Sequence, residues 1–477
     1  MKTHPDRLNT YSTVGLIALA VGFWLAQVHA LPVSPILEPD SQSYLKFLPI
    51  RSAGYPLFLQ FFGPERAMYV QSTLFVSAAL YLSFEVRKSA DTAWLALILI
   101  VLILSNKELN SYHAQIMTES LFTSLEMIFL GLCIRFLRAP RYAIALLIGV
   151  VLGLSAAIRP SAYAYLPILA CLVLYASSKL VLKDRLALLI TAVLPAVMTI
   201  GVERAFTQSQ HGAQATSLAG RHLYAKAALI NTAHQETTTA MDAAEGTLRD
   251  AIQTDFAPVR RLIEDAPDYA STAFLTLIYE VCIEYACSDH LRSRLHSQSG
   301  MSTAEIDRTM MKVAVDRVSV APIDYMELSL RHYFRLLSGT NPPVFSTYQD
   351  FISHHRPLPF EPFATLANPP IKSGVHIRPG PTKIRLSLPA SITFLLALTG
   401  FVCLVIRYTP NSMLAMSFIA ALLVHASFTL TALVGVGESR YVTGMWPAMM
   451  TSIVFAGGAL CVWLREKNPA IQNKKRK

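Results

Sequence analysis

Charge is what this chain has least of. Only 15% of its 477 residues are Asp, Glu, Lys or Arg, while 53% are hydrophobic. A soluble domain carries about a quarter charged residues. The apolar residues are gathered into long runs, which excludes one large soluble core and makes a polytopic membrane protein the leading class. Cysteine is also sparse. Cys133, Cys171, Cys403 and Cys461 fall inside apolar runs, where a thiol packs as a small hydrophobe. Cys282 and Cys287 lie in a polar stretch, and side chains five apart on a helix point away from each other, so a bonded and a free pair both stay open. No Cys/His spacing fits a zinc site, and there is no internal repeat.

What the chain does have is apolar runs with basic clusters at their ends. About ten spanning helices are expected, over 13–31, 67–86, 92–105, 119–137, 143–158, 162–178, 186–203, 388–407, 412–434 and 441–464. The connectors Arg87-Lys88, Arg135 to Arg141, Lys179 to Arg185 and Arg407, together with both termini, fall on one side and hold most of the loop lysine and arginine. That side is therefore cytoplasmic, and the formal net charge of +10 is a topology signal with no nucleic-acid partner attached. The first run, Val14 to Ala26, is read as a retained anchor although Val28-His29-Ala30 looks like a signal-peptidase site.

The fold class that follows is an all-α polytopic membrane protein with a mostly helical extracytoplasmic domain inserted before the last three spans. Residues 1–203 form the N-terminal membrane module and 388–464 the C-terminal spans, with 465–477 as a basic cytoplasmic tail. The inserted region, 204–387, has nearly ordinary composition. Helices are expected over Asp242 to Asp265, Ser271 to Ala286, Thr303 to Val320 and Asp324 to Leu337. A proline-rich loop follows from Asn341 to Pro381.

On this topology the rare polar residues gather on the outer side. Asp40 and Arg51 are in the first outer loop, Lys107, His113 and Glu119 in or after the second, and Arg159 at a hairpin turn. Arg221, His222 and Lys226 follow the seventh run, and Glu438 and Arg440 mark the last outer turn. Asp40 and Tyr44, four apart, share a helix face, and Leu45 and Leu48 suit a helix lying along a membrane surface. Acid, base and cation where lipid meets water suit a substrate that is part lipid and part polar anion. Simpler roles compete. Asp40 suits an N-cap, Arg51 and Arg159 suit headgroup anchors, and Arg440 suits a pair with Glu438. Arg221, His222 and Lys226 suit a solvated face, and Tyr44 and Tyr55 an interfacial belt.

The first loop reads Pro39-Asp40-Ser41, then Tyr44, then Arg51 before Gly54-Tyr55-Pro56-Leu57-Phe58. After it come Thr118-Glu119-Ser120-Leu121-Phe122, Gly153-Leu154 ahead of Arg159-Pro160, and Glu438-Ser439-Arg440-Tyr441 with Pro447 beyond. In that order these motifs resemble the GT-C glycosyltransferases, in the bacterial branch related to protein O-mannosyltransferases and lipid A aminoarabinose transferases. One departure stands out: many members carry adjacent acidic residues in the first loop, whereas here Ser41 follows Asp40 and Pro39 separates Glu38. The resemblance implies a multi-pass enzyme of the bacterial inner membrane with its active site on the outer side. It implies transfer of a sugar from a polyprenyl-phosphate donor to an envelope hydroxyl on a glycan, lipid or protein, with inversion. Asp40 would act as general base, and Arg51, Arg159 and Arg440 would steady the leaving phosphate, with Glu119, Tyr44, Arg221 and Lys226 as further substrate-binding candidates. No metal or other cofactor is expected beyond the lipid-linked donor. A transporter or flippase of a lipid-linked or anionic solute is the alternative, and it calls for polar or broken helices at mid-membrane.

Overall fold

The computed structural model describes residues 4–38, 40–90, 93–216, 218–230, 243–257, 260, 289–338, 387–406, 412–435 and 439–467. Among them the chain is helical throughout, with one isolated parallel bridge between Ile36 and Gln115 and no strand. Two compact units emerge. The first takes in Met1–Thr207, Leu388–Ser427 and Thr443–Lys477, and the second Gln208–Ser387 and Phe428–Val442.

The first unit opens with α1 (His4–Ala30), the single turn α2 (Ser41–Leu45), α3 (Gly54–Phe62), α4 (Pro64–Ala90), α5 (Ala93–Leu104) and α6 (Lys107–Ser111). It continues through α7 (Glu119–Arg138), α8 (Tyr142–Ile158), α9 (Tyr165–Ala176) and α10 (Leu182–His211). Among the described residues, six helices are long and apolar enough to cross a membrane: Tyr11–Ala30, Pro64–Ser89, Glu119–Arg138, Leu182–Gln214, Ser412–Val434 and Trp446–Leu464. Ala93–Leu104 and Lys107–Ala114 form a further candidate span bent by 56°, and Tyr142–Ile158, Pro160–Ala176 and Leu388–Cys403 are shorter apolar helices. The chain is thus an all-α membrane protein.

α7 is the central rod of this unit. It packs along α4, where Gly131 lets the Tyr81 ring approach so closely that a Cβ would lie 2.6 Å from it. Its two ends carry ion pairs. Glu119 meets Arg159 at 3.2 Å, and Arg138 meets the buried Glu85 of α4. The nineteen steps from Glu119 to Arg138, at 1.5 Å each, put those ends about 28 Å apart, close to the ~30 Å depth of a hydrocarbon core. The two pairs thus lie about one hydrocarbon-core depth apart along α7. His425 of the span Ser412–Val434 bonds Thr393 of Leu388–Val405 at 3.2 Å, a polar link between adjacent helices.

The second unit contains α11 (Ala219–Ala228), α12 (Ala243–Thr254), α13 (Asp289–Ser299), α14 (Thr303–Val320) and α15 (Pro322–Ser338). It also holds the end of α17 (Ser412–Val434), which follows α16 (Leu388–Val405). α11 crosses α14 at Gly220, where a Cβ would sit 1.8 Å from the Asp307 carbonyl oxygen. Both ends of α11 are closed by side chains from elsewhere. The Asp307 carboxylate accepts from the Arg221 amide at 2.9 Å, while the buried guanidiniums of Arg317 and Arg260 donate to the carbonyls of Ala227 and Ala228. An anion at the N-terminus and cations at the C-terminus match the helix dipole. Expected helices over Ser271 to Ala286, the Asn341 to Pro381 loop, and Cys282 and Cys287 lie outside the described residues.

Candidate active site

The geometry begins with how the first loop is held. Ile36 donates to the Ala114 carbonyl at 2.8 Å and accepts from Ile116 at 3.1 Å, so the first and second loops share a short ladder. Ser41 adds a bond from its hydroxyl to the Ile116 carbonyl at 2.9 Å. At the other end, the Glu203 carboxylate of α10 accepts from the Ala53 amide at 2.8 Å and so caps α3. Gly54 lies against the end of α8, where a Cβ would be 2.6 Å from the Ala157 carbonyl oxygen.

The expected surface helix is shorter than its pattern suggests. α2 ends at Leu45, and Phe47 adopts a left-handed conformation with φ +43° while stacking on Phe206 at 6.2 Å. Such a φ is strained for a bulky side chain and is kept only where its surroundings fix it. Leu45 and Leu48 therefore do not share a helix.

Asp40 stands at the N-cap position of α2, yet its side chain makes no capping bond. It pairs instead with Arg51, Nη2 to Oδ1 at 2.5 Å. The same guanidinium donates from Nε to Ser43 at 2.7 Å and from Nη1 to the Tyr44 hydroxyl at 3.1 Å, and it lies 4.3 Å from the Tyr44 ring centre. Arg51 is thus committed to the loop and is not a free headgroup anchor. Arg159 is likewise engaged: it pairs with Glu119, which is 2% exposed, and sits 5.7 Å from the Phe122 ring centre.

Tyr44 joins the two pairs. Burial raises its phenol above the ordinary value, Arg51 and Arg159 oppose the shift, and Glu119 and Asp40 add to it. The Tyr44 ring meets Tyr55 edge-on at 5.2 Å, and the Tyr55 hydroxyl donates to Gln71 at 2.9 Å. Tyr55 is wholly buried, so it is no interfacial belt residue. His113 is buried as well. Its ring lies 2.6 Å from the Ser120 hydroxyl and meets the Phe75 ring at a tilt, 4.5 Å between centres, which makes it a core group holding the second loop.

Arg221 and Lys226 belong to the second unit. Lys226 is fully buried, its ammonium donating to the Ala432 carbonyl and lying 5.6 Å from the Tyr325 ring centre. Burial lowers its pKa to about 7. It is not part of a solvated face. Arg440 lies on α18 (Ser439–Gly444), which precedes α19 (Trp446–Lys467); its side chain and the whole of Glu438 lie outside the described residues.

Two carboxylates escape sequence reading. Glu203 is one. Glu126 is the other, one heptad beyond Glu119 on α7, fully buried, with Oε1 accepting from the Tyr165 hydroxyl at 3.2 Å and Oε2 without a partner. An acid seven residues after another, inside an apolar run, is a visible signal, since such groups are rare at membrane depth. Among the described residues no group of three or more His, Cys, Asp or Glu side chains could hold a metal ion. No family model, curated protein or solved structure matches this chain.

Proposed function

We propose that this chain is an integral-membrane glycosyltransferase that moves a sugar from a polyprenyl-phosphate donor to an envelope hydroxyl, with inversion. One arrangement carries the reading: Asp40 pairs with Arg51, Arg159 pairs with Glu119, and Gly54, just after the first pair, packs on the Ala157 carbonyl two residues before Arg159. In this reading the bent pair and the three shorter apolar helices also span, which makes ten, with both termini cytoplasmic and residues 204–387 outside. The membrane is the bacterial inner membrane.

Roles divide by exposure. Asp40 is 35% and Arg51 22% exposed, so both can meet substrate. The acceptor oxygen attacks the anomeric carbon, its proton passes to Asp40, and the bond to the phosphate oxygen breaks. The pair of electrons leaves with the lipid phosphate, whose charge the guanidiniums of Arg51 and Arg159 stabilise. Glu119, almost fully buried, positions Arg159, while Tyr44 orients Arg51.

The test is purified protein in vesicles with radiolabelled polyprenyl-phosphate pentose or hexose and an envelope lipid extract as acceptor. A new alkali-stable glycosidic product supports transfer. The 56° break and the buried Glu126 favour the second reading, a transporter of a lipid-linked solute. Label that crosses the membrane with no new product would establish that reading and end the first.

A further inference from the structure

Helix α15 (Pro322–Ser338) turns a row of large apolar side chains outward. Its inner face is mixed, with Ser329, His332 and Arg335 all under 5% exposed beside the buried Tyr325, Leu336 and Leu337. Its outer face shows Ile323, Met326, Leu330 and Phe334, exposed by 80, 51, 47 and 45%. Their spacing of three and four residues aligns them in one stripe. The ion-paired side chains of Glu327 and Arg331 run along one border. A contiguous apolar stripe of this kind on a surface marks a contact with something other than water.

Two hydrogen bonds within the second unit say what that is. Near its start, the Tyr325 hydroxyl donates to the Leu433 carbonyl, in the last turn of the span α17 (Ser412–Val434). At its end, the Leu337 carbonyl accepts from the Ser387 amide at 2.9 Å, the residue directly before α16 (Leu388–Val405). In the topology proposed above, on which this inference rests, α16 and α17 both span, and the link from Val405 to Ser412 is too short to return across a membrane, so Leu388 and Val434 reach the same face. A helix pinned at both ends to that face runs parallel to it. The twelve steps from Tyr325 to Leu337 cover about 18 Å.

We infer that α15 lies flat on the bilayer, with Ile323, Met326, Leu330 and Phe334 set among the headgroups and upper acyl chains. The occupant of the stripe is lipid. Helices of this kind bind by buried apolar area, with charged side chains kept at the headgroup level. Glu327 and Arg331 occupy that level here, and Val320, half exposed just before Pro322, extends the apolar border. The inference holds for an enzyme or a transporter alike.

The experiment uses the full chain in vesicles of phosphatidylcholine and phosphatidylglycerol. Photoreactive benzoylphenylalanine replaces Leu330, Phe334 or, on the flank, Asp324, and adducts are read by mass spectrometry. All three positions are exposed, so the fold is retained. Lipid adducts at 330 and 334 should exceed those at 324 by about five-fold or more. A second variant, Leu330→Asp, should cut the adduct yield at 334. Equal lipid labelling at 324, or cross-links from 330 and 334 to a second copy of the chain or to another protein, overturns the assignment.

Discussion

Replacing Asp40 by Asn separates chemistry from stability. The amide keeps the shape of the carboxylate but cannot take a proton. The lost ion pair is partly exposed, Asp40 by 35% and Arg51 by 22%. Pairs of that kind contribute about 0–1 kcal/mol. Arg51 also keeps its bonds to Ser43 and Tyr44, so the loop stays in place. Thermal unfolding should therefore move little. Removing a general base, by contrast, costs about 10²–10⁴ in rate, equivalent to roughly 3–5 kcal/mol of barrier. The assay is initial-rate sugar transfer at saturating donor, with unfolding of the same preparation followed in parallel. Because the lost contact acts in the transition state, kcat and kcat/KM should fall together. If Asp40→Asn transfers sugar within twofold of wild type, the base assignment is wrong. If rate and stability collapse together, Asp40 is a structural residue and the chemistry lies elsewhere.

Three further outcomes test the surrounding frame. Glu119→Gln leaves Arg159 facing a buried amide and should cost about 3 kcal/mol of stability in a detergent unfolding assay, with part regained in Glu119→Gln/Arg159→Gln. Gly54→Ala drives a methyl into the Ala157 carbonyl, two backbones that cannot both yield, and should cost about 1–3 kcal/mol and lower transfer activity. Lys226 has a folded pKa of about 7, below its unfolded value. Between pH 7 and 10 the unfolded state binds the extra proton, so stability should rise with pH across that window by on the order of 3 kcal/mol. Lys226→Met should flatten the rise when unfolding midpoints are compared at pH 7 and 9.5; an unchanged slope would assign it to another group.

Much of the helical frame is legible in the sequence, because apolar runs near twenty residues and their basic flanks are properties of single segments. Thr303 to Val320 and the helix beginning at Pro322 are legible for the same reason, with Ala321-Pro322 as the break between them. The site is legible only as a set of residues. Which acid takes which arginine depends on α2, α7 and α8 meeting, and no spacing encodes that Arg51 reaches Asp40 while Arg159 reaches Glu119. The face shared by Asp40 and Tyr44 is local and visible, but the abrupt end of α2 depends on Phe47 packing against Phe206, far along the chain. Lys226 looks solvated because Arg221 and His222 lie about one turn before it, although Ala225, Ala227 and Ala228 beside it are apolar. Its actual surroundings, Ala432 and Tyr325, are both about a hundred residues or more away.

The shared ladder at Ile36 has a bearing on traffic through the site. Because Ala114, Ile116 and Ser41 lock the first two loops into one piece, neither can lift without the other. For the lipid-linked donor proposed above, entry past these loops would have to move both as one piece.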